Sequence, residues 1–145
     1  MVMRAATALW EGELFTGKGS VAFDSSQAAG PLDVNWPARA EAPNGVTSPE
    51  ELIAGAHSTC YAMSLAGGLA RAGTPADRLE VTAEVHVEKT DAGFTITRSE
   101  LRVRGTVPGT DAAGFAEVAE TAKKNCPVSR ALQGNVEISL DAALT

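Results

Sequence analysis

Residues 48–72 of the chain read SPEELIAGAHSTCYAMSLAGGLARA and carry the strongest helix signal in the sequence. Ser48 suits the N-cap, Pro49 suits the first helical position, and Glu51 stands where a capping box needs it. Apolar residues then recur close to a 3.6-residue period until Gly73 ends the pattern. Alanine, glycine and leucine fill most other positions, so the helix is apolar almost all round. The stretch therefore predicts a long, buried, central helix.

The sequence before this helix predicts an antiparallel meander. Residues 7–15 contain a strand-like stretch, Gly17-Lys18-Gly19 makes a turn, and residues 20–24 return as a second strand. Residues 24–48 are rich in Pro, Gly, Asn, Ser and Ala, which favours a loop with one short strand near residues 32–36.

The sequence after the helix predicts a hairpin, a second helix and a last strand. Residues 79–88 alternate apolar and polar side chains, and residues 94–105 return with a change of parity that predicts a bulge near residues 98–99. A helix capped by Thr110 or Asp111 follows, and a final strand comes after it. The whole pattern predicts an α+β fold with antiparallel sheets, in one domain covering residues 1–145.

Composition and charge narrow the classes of function. The 145 residues carry a net charge of -6 at a sequence pI near 4.9, which argues against binding to nucleic acid or to anionic membranes. The first ten residues lack the apolar run of a signal peptide, and no stretch approaches the roughly 18 apolar residues of a spanning helix. We therefore expect a cytoplasmic protein, in which thiols stay reduced and disulfides are transient.

The two cysteines are the first candidates for chemistry. Cys60 and Cys126 are 66 positions apart, so the chain has no CxxC motif. Cys60 lies within the predicted helix, where a cysteine is either a small core residue or a reactive thiol. His57 precedes it by three residues on the same helical face and is either a catalytic base or a packed side chain.

Cys126 has a more polar setting in the sequence. It directly precedes Pro127 at a helix start, and a helix N-terminus favours a thiolate. Positive side chains near it in the sequence are those of Lys123, Lys124 and Arg130. These cations either lower the pKa of the thiol or merely lie at the solvent-exposed end of the preceding helix.

Glu50 and Arg39 are two further candidates for functional side chains. Glu51 already has a capping role, whereas Glu50 has none beyond a favourable position in the helix dipole. Glu50 and Cys60 are ten residues apart, which is about 15 Å along a straight helix. If both serve one site, either the helix breaks or Glu50 acts across a dimer interface. Arg39, in the preceding loop, is either solvated or part of that site.

Several segments of the chain resemble the OsmC/Ohr family, and more closely its OsmC branch. These segments are TSPEELI at 47–53 with Ala56-His57 and Cys60, NCPVSRAL at 125–132, KTDAGF at 89–94, WEG at 10–12 and GKG at 17–19. The resemblance covers nearly the whole chain, and the two cysteine-bearing segments together are specific.

The resemblance implies both a fold and an activity. It implies an OsmC-like fold in an intertwined homodimer with two sites at the subunit interface. It further implies a thiol-dependent peroxidase that reduces organic hydroperoxides, with Cys60 peroxidatic, Cys126 resolving, and Arg39 and Glu50 as the supporting pair. No cofactor or metal is implied, and an external dithiol, of lipoyl type in the family, would reduce the disulfide.

Three other functions compete with this interpretation. The apolar interface would also suit a non-enzymatic binder of a hydrophobic, acyl-type ligand. A metal site would combine the two cysteines with His57 and His86, although His86 lies on the polar face of its strand. A Cys–His hydrolase would pair Cys60 with His57.

Overall fold

A computed structural model describes residues 1–145, and the chain divides into two compact units, residues 1–52 and 53–145. The elements in chain order are β1 (Thr7–Glu11), β2 (Lys18–Ala22), β3 (Leu32–Val34), α1 (Trp36–Ala40), α2 (Pro49–Arg71), β4 (Arg78–Thr90), β5 (Gly93–Thr106), α3 (Ala112–Asn125), α4 (Pro127–Leu132) and β6 (Glu137–Leu144). None of the helices has the length and apolar character of a membrane span.

The first unit contains the predicted meander and a helix that was not predicted. Strands β1, β2 and β3 pair antiparallel in that order. Trp36, expected at the end of the short strand, and residues 37–40, expected as loop, form α1 instead. The Asn35 side chain caps this helix by accepting a hydrogen bond from the N–H of Ala38 at 2.8 Å, and Pro37 lies in its first turn. The cap and the proline are local signals that the loop-like composition concealed.

The long helix α2 is confirmed, and it runs without a break from Pro49 to Arg71. Ser48 caps it, because its hydroxyl accepts a hydrogen bond from the N–H of Glu51 at 3.2 Å. Its fully buried stripe repeats every four residues and consists of His57, Tyr61, Leu65 and Leu69. Other faces expose small side chains and Met63, so within a single chain one stripe of the helix, not its whole circumference, is buried.

The second unit contains the sheet β4-β5-β6. Strands β4 and β5 form an antiparallel hairpin closed by Asp91 and Ala92, with Gly93 at a positive φ of 99°. The register shifts where His86 pairs with Arg98 and the next residue pairs with Ile96. The extra residue is Thr97, so the predicted bulge is confirmed one residue before its expected place.

The last strand corrects the prediction of purely antiparallel sheets. Strand β6 pairs with β5 in parallel, with Arg98 opposite Glu137 and Gly105 opposite Leu144. Helices α3 and α4 carry the chain back along the sheet before β6 begins, and such a crossover delivers a parallel strand. The second sheet is therefore mixed, and the α+β class is unchanged.

The core of the second unit is formed by α2, α3 and one face of the sheet. Its fully buried members are Tyr61, Leu65, Leu69, Leu101, Val103, Phe115, Ala119 and Cys126. The Tyr61 hydroxyl donates to the carbonyl of Ala119 at 3.1 Å, so the polar end of this buried ring is satisfied.

Replacing Phe115 with alanine is expected to destabilise the fold more than any surface change. Its ring is 1% exposed and packs so closely on Gly105 that a Cβ there would lie 3.0 Å from it. The cavity should lower the free energy of unfolding by about 3–5 kcal/mol, measured by urea denaturation at one protein concentration. Phe94, which is 46% exposed, is the control. An equal effect of Phe94→Ala would contradict the assignment of the core.

Candidate functional site

The two cysteines, distant in sequence, lie side by side in the second unit. Cys60 is on α2 and partly exposed, whereas Cys126 is fully buried where α3 ends and α4 begins. Both thiols are free, and they lie close enough together for each to change the pKa of the other. Cys126 closes α3 through its N–H, which donates to the carbonyl of Ala122 at 2.8 Å, and its extended backbone then starts α4. The break between two helices therefore positions the buried thiol.

The surroundings of Cys126 favour its thiolate. Burial alone raises the pKa of Cys126, but the N–H and O–H of Ser129, the Cys60 thiol and the N–H of Val128 together lower that pKa below its ordinary value. The sulfur makes no capping hydrogen bond of normal geometry with α4, so the backbone acts on it mainly as a set of dipoles. The predicted thiolate thus rests on the backbone and Ser129, and the nearby lysines are not among its causes.

The surroundings of Cys60 favour its neutral form. Burial raises the pKa of the Cys60 thiol, the N–H of Val128 acts in the opposite direction, and the adjacent Cys126 adds to the rise. No positive side chain is among these causes. In a single chain the surroundings therefore favour the thiolate on Cys126 over the thiolate on Cys60, and no neighbouring cation lowers the pKa of Cys60.

His57 contacts two serines and is not paired with Cys60. Its Nδ1 lies 2.7 Å from Ser99 Oγ, and its Nε2 lies 2.8 Å from Ser129 Oγ. His57 and Ser99 are completely buried and Ser129 is 4% exposed. Burial lowers the pKa of His57, so the ring is neutral. With both nitrogens occupied by hydroxyls, His57 offers no lone pair to a metal and no base to Cys60.

Ser99 and Ser129 were not among the residues singled out from the sequence. Ser129 follows Cys126 by three residues, at the third position of a helix that Cys126 caps. That spacing alone brings a side chain close to the cap residue and was an available signal. Ser99 had none, because its partner lies 42 residues away.

His86 lies apart from the cysteines, as its position on a polar strand face predicted. Its Nδ1 accepts from Arg98 Nη2 at 3.4 Å, and its Nε2 is 3.5 Å from a Glu100 carboxylate oxygen. Glu84 belongs to the same cluster on the sheet surface. The four side chains of the alternative metal site, both histidines and both cysteines, therefore do not lie together.

Arg39 and Glu50 form an ion pair within the first unit. Arg39 Nε and Nη2 both donate to Glu50 Oε1, at 3.0 and 2.8 Å. The Glu50 side chain is 8% exposed and that of Arg39 is 31% exposed. The other carboxylate oxygen, Oε2, is buried without a hydrogen-bond partner. Two donors on one oxygen fix the plane of the guanidinium.

Arg39 also borders an apolar cleft of about 300 Å³. The cleft is lined by Trp10, Leu14, Val34, Asn35, Trp36, Arg39 and Pro49. The guanidinium carbon of Arg39 lies 5.9 Å from the ring centre of Trp36. The ring of Phe15 is nearly perpendicular to that of Trp36, with 5.4 Å between the two ring centres. A fixed positive group thus stands at the edge of a surface suited to alkyl groups.

Comparison with known proteins agrees with these features. The family model described as OsmC-like protein matches residues 42–141. Peroxiredoxin OsmC of Escherichia coli (strain K12) is 38% identical over 143 residues, which are 99% of this chain and 97% of that protein. The organic hydroperoxide resistance protein of Xanthomonas axonopodis pv. citri (strain 306) is 31% identical over 103 residues, 67% of each chain.

A solved structure supports the same assignment. The crystal structure of an organic hydroperoxide resistance protein from Elizabethkingia anophelis has a TM-score of 0.78 at 25% identity, covering 100% of this chain and 98% of the other. The fold and the site define an α+β protein with two adjacent free thiols. The chain belongs to the OsmC-like family.

Proposed function

We propose that the protein is a thiol peroxidase that reduces organic hydroperoxides to alcohols, with Cys60 attacking and Cys126 resolving. The observation that carries this proposal is the proximity of two free thiols that are 66 positions apart in the chain. Relatives named peroxiredoxin and organic hydroperoxide resistance protein support it.

The first step oxidises Cys60 by two electrons. Its thiolate attacks one peroxide oxygen, a sulfur–oxygen bond forms, and the O–O bond breaks. The leaving alkoxide takes up a proton and departs as the alcohol, and Cys60 becomes a sulfenic acid. Partial exposure of Cys60 suits this role, because the peroxide has to reach the sulfur.

The second step joins the two cysteines. The Cys126 thiolate attacks the sulfenic sulfur of Cys60, the disulfide forms, and the departing hydroxide takes up a proton to become water. The lowered pKa of Cys126 suits it to this attack. An external dithiol, which we propose to be of lipoyl type, then reduces the disulfide and is itself oxidised. The cycle needs a reducing compartment, so we propose a cytoplasmic location.

Arg39 and Glu50 are proposed to supply the cation that Cys60 lacks in its own unit. A guanidinium beside Cys60 would favour its thiolate and stabilise the developing alkoxide. We propose that the pair of one protomer serves Cys60 of its partner in a homodimer, as the ten-residue spacing on the unbroken helix α2 predicts. The apolar cleft beside Arg39 supports an alkyl hydroperoxide as the substrate.

Treating the reduced protein with one equivalent of cumene hydroperoxide is expected to give a Cys60–Cys126 disulfide within one chain. The thiols are already neighbours, so condensation should outrun further oxidation by peroxide. Peptide mass spectrometry without reduction detects the linked peptides. Cys126→Ser serves as the control and should accumulate sulfenic or sulfinic acid at Cys60. Separate, over-oxidised cysteines in the unaltered protein would remove Cys126 from the resolving role.

A further inference from the structure

A chain of buried hydroxyl and imidazole groups ends at the resolving thiol. Ser99, His57 and Ser129 are joined by contacts of 2.7 and 2.8 Å. Ser129 lies three residues after Cys126 on the helix that Cys126 caps, and its hydroxyl lowers the pKa of the Cys126 thiol. Ser99 comes from β5, His57 from α2 and Ser129 from α4. Three separate elements therefore contribute to one buried polar network beside Cys126, in a region otherwise filled by apolar side chains.

When Cys126 is a thiolate, only one arrangement of hydrogen-bond donors and acceptors fits the Ser99–His57–Ser129 network. A thiolate accepts, so the Ser129 hydroxyl donates to it. The Ser129 oxygen must then accept from His57, which requires the proton on Nε2. The unprotonated Nδ1 in turn accepts from the Ser99 hydroxyl. Every donor has an acceptor, which is the condition under which buried polar groups are stable.

We propose that Ser129, oriented by His57, is a positioning residue that holds Cys126 in the thiolate form required for attack on the oxidised Cys60. The inference rests on the proposed function for its role in turnover. His57 acts only through Ser129 and does not itself contact a reacting atom. If Ser129 lacked the N–H of His57, its hydroxyl would be able to rotate towards another acceptor and leave the sulfur without a donor.

The properties of His57 favour orientation over proton transfer. Burial lowers the pKa of His57, so an imidazolium would be costly at this position. A neutral ring held at both nitrogens has one fixed plane and one fixed tautomer. These are the properties that a group needs to fix the direction of a neighbouring hydroxyl.

Few other titratable groups act on Cys126. From α2, the Cys60 thiol lowers the pKa of Cys126, and the charge of Cys126 in turn raises the pKa of Tyr61. Burial, Glu120 and Cys126 raise the pKa of Tyr61, so the phenol remains neutral throughout the ionisation of Cys126. The Cys60→Ser substitution removes the other thiol that affects the pKa of Cys126 and leaves Cys126 as the only cysteine.

The test is a pH titration of Cys126 in the Cys60→Ser protein, followed by thiolate absorbance near 240 nm. Ser129→Ala is expected to raise the midpoint by about one pH unit, because the thiolate loses its hydroxyl donor. His57→Leu should raise it as well, whereas Ser129→Thr should restore it. Ser139→Ala, on the exposed face of β6, is the matched control. A midpoint unchanged by Ser129→Ala would overturn the inference.

Rapid-mixing kinetics separate this inference from the proposed function. With Cys60 present, Ser129→Ala should leave sulfenic acid formation by cumene hydroperoxide unchanged and slow disulfide formation roughly tenfold. Equal slowing of both steps, or of neither, would contradict a role at Cys126. Failure of the unaltered protein to form sulfenic acid would refute the proposed function, while the titration would still decide whether Ser129 controls Cys126.

Discussion

Replacing Cys60 with serine is expected to lower hydroperoxide turnover at least about a thousandfold, because the hydroxyl is neither ionised nor nucleophilic at neutral pH. Cys60 is the only cysteine of the chain with an exposed surface, so the buried Cys126 cannot take over the attack. The measurement is steady-state reduction of cumene hydroperoxide with dihydrolipoamide as the donor.

The Cys126→Ser variant is the control for this loss. It keeps the attacking thiol and should still consume one equivalent of peroxide per chain in a single fast event, then stop or turn over slowly. Circular dichroism and the thermal midpoint verify that both variants are folded. Turnover by Cys60→Ser above a tenth of the original rate would remove Cys60 from the attacking role.

Replacing Arg39 with lysine is expected to lower kcat/KM by about a hundredfold although the charge is kept. Arg39 holds Glu50 through two donors on one oxygen and lies against Trp36, and a lysine ammonium cannot reproduce this fixed plane. The same change at Arg78, whose ion pair with Glu80 is exposed, is the control and should have no effect. The pH at which Cys60 ionises should rise in Arg39→Lys and not in Arg78→Lys.

The shared site can be tested by subunit complementation. Co-expression of Cys60→Ser chains with Arg39→Lys chains yields mixed dimers in which one site combines an intact Cys60 with an intact Arg39 from the other chain. With random pairing, half of the dimers are mixed, so about a quarter of the original sites should be active. No recovery would show that Arg39 serves Cys60 of its own chain, and a stable monomer in light scattering would exclude the shared site.

Features that depend on near neighbours in the chain were available from the amino-acid sequence alone. The start of α2 follows from Ser48 and Pro49, because capping joins groups within one helical turn. The β4–β5 hairpin and its bulge follow from alternation and parity, which are properties of a single strand pair. Even α1 had a local signal in Asn35 and Pro37, although the composition of its surroundings obscured that signal.

Features that depend on distant contacts were decided by the tertiary structure. Residue types alone did not show that His57 would meet two serines and leave Cys60 unpaired, because these partners are 42 and 72 positions away. The parallel pairing of β6 depends on the path of the chain through α3 and α4, which strand periodicity does not encode.

The difference in pKa between the two thiols was also decided by the tertiary structure. The sequence by itself singled out Cys60 and Cys126 as candidates for chemistry, through the segments that contain them. Which thiol has the lowered pKa follows from burial, from the N–H groups of Val128 and Ser129 and from the Ser129 hydroxyl. A pKa is set by the groups within a few ångströms of an atom, and only folding decides which groups those are.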